Sequence, residues 1–314
     1  MIRRNALIFH SGGLGDFLLS WPLGLALGRL HPQSRIIYVT QASKGALAAK
    51  ALGLEWCDLE QSWSAMFSDP AGLNEQARKT ISAAHGVYTF IASADDAFCR
   101  NAAQLAPSAA IVPLRIAPPP DFSGHALDYL ISQLSAYPAV SSAVTQIVAS
   151  ISRNGLYARP PHNAGPVLIH PGSGSREKCW PVSSFIDLIQ KLHDAGSEVR
   201  VLLGEVELER LSADEKGRLE AVAPVIKPAT YVDLYAALSA GAGFIGHDSG
   251  PTHLAAMMGL PTLALFGPSD PAVWRPIGPR AVILQLSPLS GLNADDVFRG
   301  WQRLPRTASS GKGL

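Results

Sequence analysis

Apolar and polar positions alternate along the chain in blocks that predict strands followed by helices. Residues 6–9 form a short apolar run, and after a turn at residues 10–16 a mostly apolar stretch reaches Leu30. A second apolar run covers residues 35–39. A buried strand, a glycine-rich turn, a helix and another buried strand make a βαβ unit, which is typical of a parallel sheet.

The alternation continues through the first half of the chain and begins again in the second half. A stretch rich in proline, glycine and polar residues separates the halves at residues 153–166, as in an interdomain linker. We therefore predict two α/β domains and a terminal helix. The predicted boundaries are a first domain at 1–155, a linker at 156–166, a second domain at 167–290, and a crossover helix and tail at 291–314.

The stretch from residue 244 to residue 268 is predicted to form a strand, a turn, a helix and a second strand. Ser249 is placed as a helix N-cap, with Pro251 near the first helical position and Gly259 as the C-terminal stop. The turn would present Asp248 and unpaired N–H groups at the carboxyl edge of a parallel sheet, where ligands bind in such folds. The helix end suits a phosphate, and the carboxylate suits a sugar hydroxyl or a proton transfer. The alternative is a turn that only caps the helix.

A second polar turn, residues 173–178, follows the predicted strand at 167–169. Its small residues allow backbone amides to approach an anion, its serine hydroxyls can donate to phosphate oxygens, and Lys178 adds a positive charge. We expect a phosphate-binding loop here, and the alternative is a solvent loop with ordinary surface charges.

The turn at residues 10–16 carries glycines and one carboxylate, Asp16, at the start of a helix. It lacks the G-K-[ST] of a Walker loop and the G-x-G-x-x-G of a dinucleotide-binding turn. It offers close backbone approach and a carboxylate beside a helix end. The alternative is that Asp16 serves only as the N-cap of that helix.

The composition of the chain excludes several classes of protein. The 314 residues are 47% apolar and 16% charged with a net charge of +1, which indicates a well-buried globular chain and argues against bulk nucleic-acid binding. Its three cysteines have no metal-ligand spacing, and His247, Asp248 and His253 lack a supporting ligand cluster, so no metal is expected. With no signal sequence or apolar run of about 18 residues, we expect a cytoplasmic protein with at most peripheral membrane contact.

Three motifs occur in a recognisable order. They are G-L-G-D at residues 13–16 with Pro22 downstream, H-P-G-S-G-S-x-x-K-x-W-P at 170–181, and D-S-G-P-x-H-L-A-A-x-x-G-x-P-x-x-x-L-F-G-P-S-D-P at 248–271. Together they resemble glycosyltransferase family 9, the ADP-heptose:lipopolysaccharide heptosyltransferases. The resemblance implies a GT-B fold, with two Rossmann-like domains facing across a cleft and a C-terminal helix crossing back. It also implies inverting sugar transfer without a metal or other cofactor.

The resemblance assigns roles to individual residues. Asp16 matches the base that removes the proton of the acceptor hydroxyl, and Lys178 matches the cation on the leaving diphosphate. Asp248 matches the acid at the donor sugar, and Glu207 is expected at the nucleotide ribose. The remaining positions expected to contact substrate are Gly13, Gly15, Ser173, Gly174, Ser175, Ser249, Gly250 and His253.

The expected partners are an ADP-sugar donor and a saccharide or glycolipid acceptor. Residues 92–100 lack the basic segment that often follows the fourth strand in this family, so the acceptor stays open. Two other functions also stay open. A nucleotide-sugar epimerase would convert the donor without an acceptor, and a non-catalytic homologue would only bind the nucleotide sugar.

Overall fold

The computed structural model describes residues 4–157 and 165–304. The chain divides into two compact units, Met1–Val148 and Ala149–Leu314. Much of the predicted linker at 156–166 lies outside the described residues.

The first unit is a parallel sheet with flanking helices. Its elements are β1 (Asn5–Phe9), α1 (Leu14–Leu30), β2 (Arg35–Thr40), α2 (Ala42–Leu52), β3 (Glu55–Asp58), α3 (Glu75–Ser82), β4 (Ala84–Thr89), α4 (Ala97–Leu105), β5 (Ala110–Pro113), α5 (Ala126–Gln133) and α6 (Pro138–Asn154). The strand order is β3-β2-β1-β4-β5. The apolar residues of β1 are fully buried, as expected of the central strand. The order reverses between β2 and β4, which makes the carboxyl end of β1 the topological switch point.

Helix α1 differs from the sequence expectation at its start. It begins at Leu14, with Gly13 as the N-cap, because the Phe17 N–H already bonds to the Gly13 carbonyl at 3.0 Å. The alternative in which Asp16 is merely the N-cap is therefore wrong, since Asp16 lies inside the first turn. The helix also continues through Pro22 without interruption.

Strand β3 is an element that the hydrophobic pattern did not predict. Its residues, E-W-C-D, are exposed or half-buried, because it is an edge strand with one neighbour. Helix α2 packs closely on it: a Cβ added at Gly45 would lie 2.5 Å from the Trp56 ring. An edge strand of this kind lacks the continuous apolar run that reveals a central strand.

The second unit is also a parallel sheet with helices. Its elements are β6 (Val167–His170), α7 (Val182–Asp194), β7 (Val199–Leu202), α8 (Glu205–Arg210), α9 (Ala213–Val222), β8 (Val225–Ile226), α10 (Tyr231–Ser239), β9 (Gly243–His247), α11 (Gly250–Met257), β10 (Thr262–Phe266), α12 (Pro271–Trp274), β11 (Ala281–Gln285) and α13 (Ala294–Gln302). The order is β11-β10-β9-β6-β7-β8. This is the Rossmann order, with its switch point between β6 and β9.

The terminal helix α13 belongs to the core of the second unit. Val297 and Trp301 are buried in the cluster that also contains residues of α7. A Cβ at Gly243 would lie 2.3 Å from the Trp301 ring, so β9 and α13 approach closely. Lys191 of α7 also pairs with Asp295 at 2.8 Å. The last ten residues of the predicted tail lie outside the described residues.

Within residues 4–157 and 165–304, no helix combines the length and hydrophobicity that crossing a membrane requires.

Candidate functional site

The turns that follow β6 and β9 meet at the switch point of the second sheet. The Ser173 hydroxyl donates to the Asp248 carbonyl at 2.8 Å. Lys178 Nζ donates to Asp248 Oδ2 at 2.7 Å. The two polar turns predicted from the sequence therefore form one assembly, and the hydroxyl of Ser173 serves to join them.

Asp248 occupies the centre of this assembly. Its side chain is 10% exposed, whereas that of its partner Lys178 is 35% exposed. His253 Nε2, from the first turns of α11, lies 3.9 Å from the other carboxylate oxygen, Oδ1. A mostly buried carboxylate is thus held between a more exposed cation and a buried ring. The positive charge of Lys178 is balanced by this acid.

His247 ends β9 and faces the turn after β6. Its Nε2 accepts the Trp180 N–H at 2.7 Å, so Nδ1 carries the proton and donates to the Gly172 carbonyl at 3.1 Å. Burial lowers the pKa of His247 to about 4, so the ring is neutral near pH 7. His247 therefore links the two turns. In the described residues, no three His, Cys, Asp or Glu side chains gather as metal ligands.

The start of α11 confirms part of the predicted capped turn. Ser249 is the N-cap residue and Pro251 lies at the start of the helix, while Gly259 follows its end with φ +83°. The Ser249 hydroxyl lies 3.1 Å from the Thr252 hydroxyl. In the described residues it does not cap a helix N–H. Gly250 is the first residue of the helix, beside Asp248.

Glu207 lies on the other side of the β6 turn, on α8. Its Oε2 accepts the Gly204 N–H at 3.0 Å and lies 3.3 Å from His170 Nε2. Burial acts to raise the pKa of Glu207, but the hydrogen bond and charge of His170, with the Gly204 N–H, outweigh it and lower the pKa. The carboxylate is packed against Gly172, where an added Cβ would lie 1.8 Å from Oε1.

Arg210 is a functional candidate that the sequence analysis missed. Its Nη1 donates to the carbonyls of Ser173 and Gly174 at 3.1 and 3.0 Å. Two backbone carbonyls of the predicted phosphate loop are thereby directed at a cation. Arg210 lies three residues after Glu207, so the two share a face of α8. That spacing is the signal that could have identified it.

A cavity of about 270 Å³ opens beside this turn in the second unit. It is lined by the β6 turn, the start of α7 and helix α8. Its charged lining residues are Arg176, Glu207, Arg210 and Glu215.

The first unit carries a separate set of residues at the switch point of its own sheet. Gly13 and Gly15 flank the start of α1, where Gly13 is exposed and a Cβ on it would have no neighbour within 4 Å. Asp16 is half-buried. Lys44, which the sequence analysis did not single out, is buried at the start of α2. Its ammonium acts electrostatically on Asp16.

The structure therefore gathers the predicted residues into two groups. The turns of the second sheet bring together most of them: Ser173, Gly174, Ser175, Lys178, Asp248, Ser249, Gly250 and His253, with Glu207 beside Gly172. Gly13, Gly15 and Asp16 form the group of the first unit.

Comparison with known proteins gives a family match and structural neighbours. The model of "Glycosyltransferase family 9 (heptosyltransferase)" matches residues 121–295, more than half of the chain. The lipopolysaccharide heptosyltransferase 3 of Escherichia coli is 34% identical over 113 residues, 35% of this chain. That alignment covers 33% of the relative, so the chain spans about a third of the length of the curated relatives it matches.

Solved structures share the fold over nearly the whole chain. A glycosyl transferase family 9 protein from Veillonella parvula superposes with a TM-score of 0.69 at 19% identity, covering 95% of this chain and 96% of that one. The E. coli ADP-heptose lps heptosyltransferase II superposes with a TM-score of 0.67 at 15% sequence identity, covering 95% of this chain and 97% of that one. An E. coli heptosyltransferase with ADP superposes with a TM-score of 0.64 at 17% sequence identity, covering 95% of this chain and 99% of that one. The two parallel sheets thus have the GT-B fold.

Proposed function

The chain belongs to glycosyltransferase family 9, and on that premise we propose an inverting, metal-independent transfer of heptose from ADP-heptose to a saccharide or lipopolysaccharide-type acceptor. The observation that carries the proposal is the assembly of Ser173, Lys178 and Asp248 at the switch point of the second sheet. This is the position at which doubly wound sheets bind nucleotides.

The donor side follows from the charge that develops during transfer. As the bond between sugar and diphosphate breaks, negative charge grows on the leaving phosphate. Lys178 and the N–H groups at the start of α11 stabilise it, together with the backbone of the turn at 173–175. Asp248 orients the donor sugar, with His253 beside it, and Glu207 binds the ribose. These groups supply the electrostatic stabilisation without a metal ion.

The acceptor side needs one group that takes a proton. Asp16 accepts the proton of the attacking hydroxyl, which then displaces the diphosphate from the opposite face of the sugar and inverts the anomeric centre. Gly13 and Gly15 allow an acceptor to approach the backbone beside this carboxylate. An aspartate inside the first turn of α1 gains from the positive end of the helix dipole, which favours its ionised form.

The names of related proteins guide the choice of substrates. One structural neighbour contains ADP and another contains ADP-2-deoxy-2-fluoro heptose. The curated relatives are lipopolysaccharide heptosyltransferases. By analogy we assign an ADP-heptose donor and a glycolipid acceptor, and we place the enzyme in the cytoplasm with peripheral contact at the inner membrane. The first domain, up to residue 155, takes the acceptor, and the domain at 167–290 takes the donor.

The proposal is tested in two steps. Calorimetric titration with ADP, ADP-heptose and UDP-glucose, with and without magnesium, should show metal-independent binding that is tightest for the ADP compounds. Transfer to a lipopolysaccharide core saccharide should then fall by roughly 100-fold or more in Asp16→Asn, with ADP affinity retained. Asp121→Asn, an exposed carboxylate of the same unit, is the control.

Other results would redirect the assignment. Binding of UDP-sugars alone would replace the ADP-heptose donor. Conversion of the donor without an acceptor would indicate an epimerase. Binding without any turnover would indicate a non-catalytic homologue, and full activity of Asp16→Asn would remove Asp16 as the base.

A further inference from the structure

Lys44 is a buried lysine in the first turn of α2, with 4% of its surface exposed. Its Nζ donates to the carbonyl of Gly12 at 2.5 Å and to that of Ser11 at 3.4 Å. A lysine ammonium is expensive to bury unless it is paired, because it gives up its hydration. Two backbone carbonyls compensate part of that loss, and both belong to the turn between β1 and α1.

The titratable groups that face Lys44 in the described residues come from two neighbouring elements. Asp16 approaches from α1 and His10 from the end of β1. Burial lowers the pKa of Lys44, and the charge of Asp16 opposes that effect. Burial, followed by the charge of Lys44, lowers the pKa of His10 to about 3. His10 is therefore neutral near pH 7, and Asp16 is the anion that balances Lys44.

The geometry connects the carbonyls held by Lys44 to the carboxylate of Asp16. A Cβ added at Gly12 would lie 3.2 Å from Asp16 Oδ2 and 3.0 Å from His10 Cε1. The backbone of residue 12 thus packs directly on the Asp16 side chain. Lys44 donates to the carbonyl of that same residue. Without Lys44, the Gly12 backbone that packs on the Asp16 carboxylate would lose the hydrogen bond that holds it in place.

We propose that Lys44 is a positioning residue for Asp16, holding the Ser11–Gly12 backbone against the carboxylate and keeping the carboxylate ionised. A base must be deprotonated at the working pH and held in one orientation. Lys44 supplies the first condition through its charge and the second through its bonds to the carbonyls of Ser11 and Gly12. The catalytic consequence rests on the proposed function, whereas the charge coupling between the two residues does not.

The coupling is measured directly by carbon-13 NMR titration of the aspartate carboxyl groups in the full chain. The Asp16 signal is assigned by its loss in Asp16→Asn. In Lys44→Met, which keeps the unbranched side chain up to the ε position and removes the charge, the proton affinity of Asp16 should rise about tenfold. Lys50→Met, at an exposed position of the same helix, should leave it unchanged. Equal Asp16 titration in the wild type and Lys44→Met would overturn the proposal.

The reverse experiment covers the case in which Lys44→Met does not fold. Coupling between two titrating groups is reciprocal, so the proton affinity of Lys44 should fall by the same factor in Asp16→Asn. Nitrogen-15 NMR of labelled lysine side chains reports it, with Lys50 as the internal control. An unchanged Lys44 titration in that variant would overturn the proposal equally.

The sugar-transfer assay distinguishes this inference from the proposed function. The acid limb of the kcat/KM profile should move to higher pH in Lys44→Met, while ADP affinity stays constant. If transfer depends on Asp16 but Lys44→Met keeps the pH profile of the wild type, that result contradicts the positioning role of Lys44 and leaves the proposed function intact. Absence of transfer in the wild type would contradict the proposed function, and the NMR titrations would still decide whether Lys44 acts on Asp16.

Discussion

Lys178 and Asp248 form an ion pair, with Nζ 2.7 Å from Oδ2, although 70 residues separate them in the chain. They follow β6 and β9, which are neighbouring parallel strands. The Lys178 side chain is 35% exposed, whereas that of Asp248 is 10% exposed. On the proposed function, Lys178 is the partner that the donor diphosphate contacts, because it is the more exposed of the two side chains.

We predict that Lys178→Ala weakens ADP binding by about 10- to 100-fold, because the charge-assisted bond to phosphate is lost. Calorimetric titration measures the effect. Lys227→Ala, which removes an exposed pair with Glu220, serves as the control and should bind ADP like the wild type. Unchanged ADP affinity in Lys178→Ala would remove the lysine from the donor site.

We predict that Arg210→Met weakens ADP binding roughly tenfold, or ~1.4 kcal/mol. Arg210 holds the carbonyls of Ser173 and Gly174, and without it the loop loses the orientation of its amides. Arg218→Met, at an exposed arginine of α9, is the matched control. Equal ADP affinity in both variants would show that the loop keeps its shape without Arg210.

We predict that Gly172→Ala destabilises the protein by about 1–3 kcal/mol, since the new Cβ collides with the held carboxylate of Glu207. Gly174→Ala is the control, because a Cβ there meets nothing within 4 Å, and its cost should stay within about 0.5 kcal/mol.

Urea unfolding of the single and double variants isolates the contact between positions 172 and 207. In the Glu207→Ala background, the cost of Gly172→Ala should shrink by about 1 kcal/mol or more. An equal cost in both backgrounds would assign the strain at Gly172 to the backbone instead.

We predict that His247 makes stability depend on pH between its ordinary pKa of 6.5 and its folded pKa of about 4. In that interval the unfolded chain binds a proton that the folded chain does not, so stability falls as the pH falls. Across the whole interval, the free energy of unfolding changes by roughly 3 kcal/mol. His247→Asn should flatten this part of the profile, and exposed His193→Gln should not. Unfolding free energies measured across the interval decide between the two outcomes.

The alternation of apolar runs and turns determined the α/β class and most central elements. The apolar runs at residues 6–9 and 35–39 lie in β1 and β2, and the strand predicted at 167–169 is β6. The strand, turn, helix and strand predicted at 244–268 are β9, α11 and β10. Buried parallel strands are continuous apolar runs, and their helices keep a polar face, so both leave a local pattern. Strand β3 left none, because its edge position keeps E-W-C-D partly exposed.

The chemistry of the turns was also local, and their residue types alone indicated phosphate and carboxylate sites. Only the tertiary structure decided the partners: Lys178 pairs with Asp248, Arg210 donates to two carbonyls of the predicted phosphate loop, and Lys44 interacts electrostatically with Asp16. Such contacts depend on strand order, which brings turns distant in sequence to one edge of a sheet. Hydrophobic periodicity fixes where each strand and helix forms, but it carries no information about which turns become neighbours, and so it could not assign these pairs.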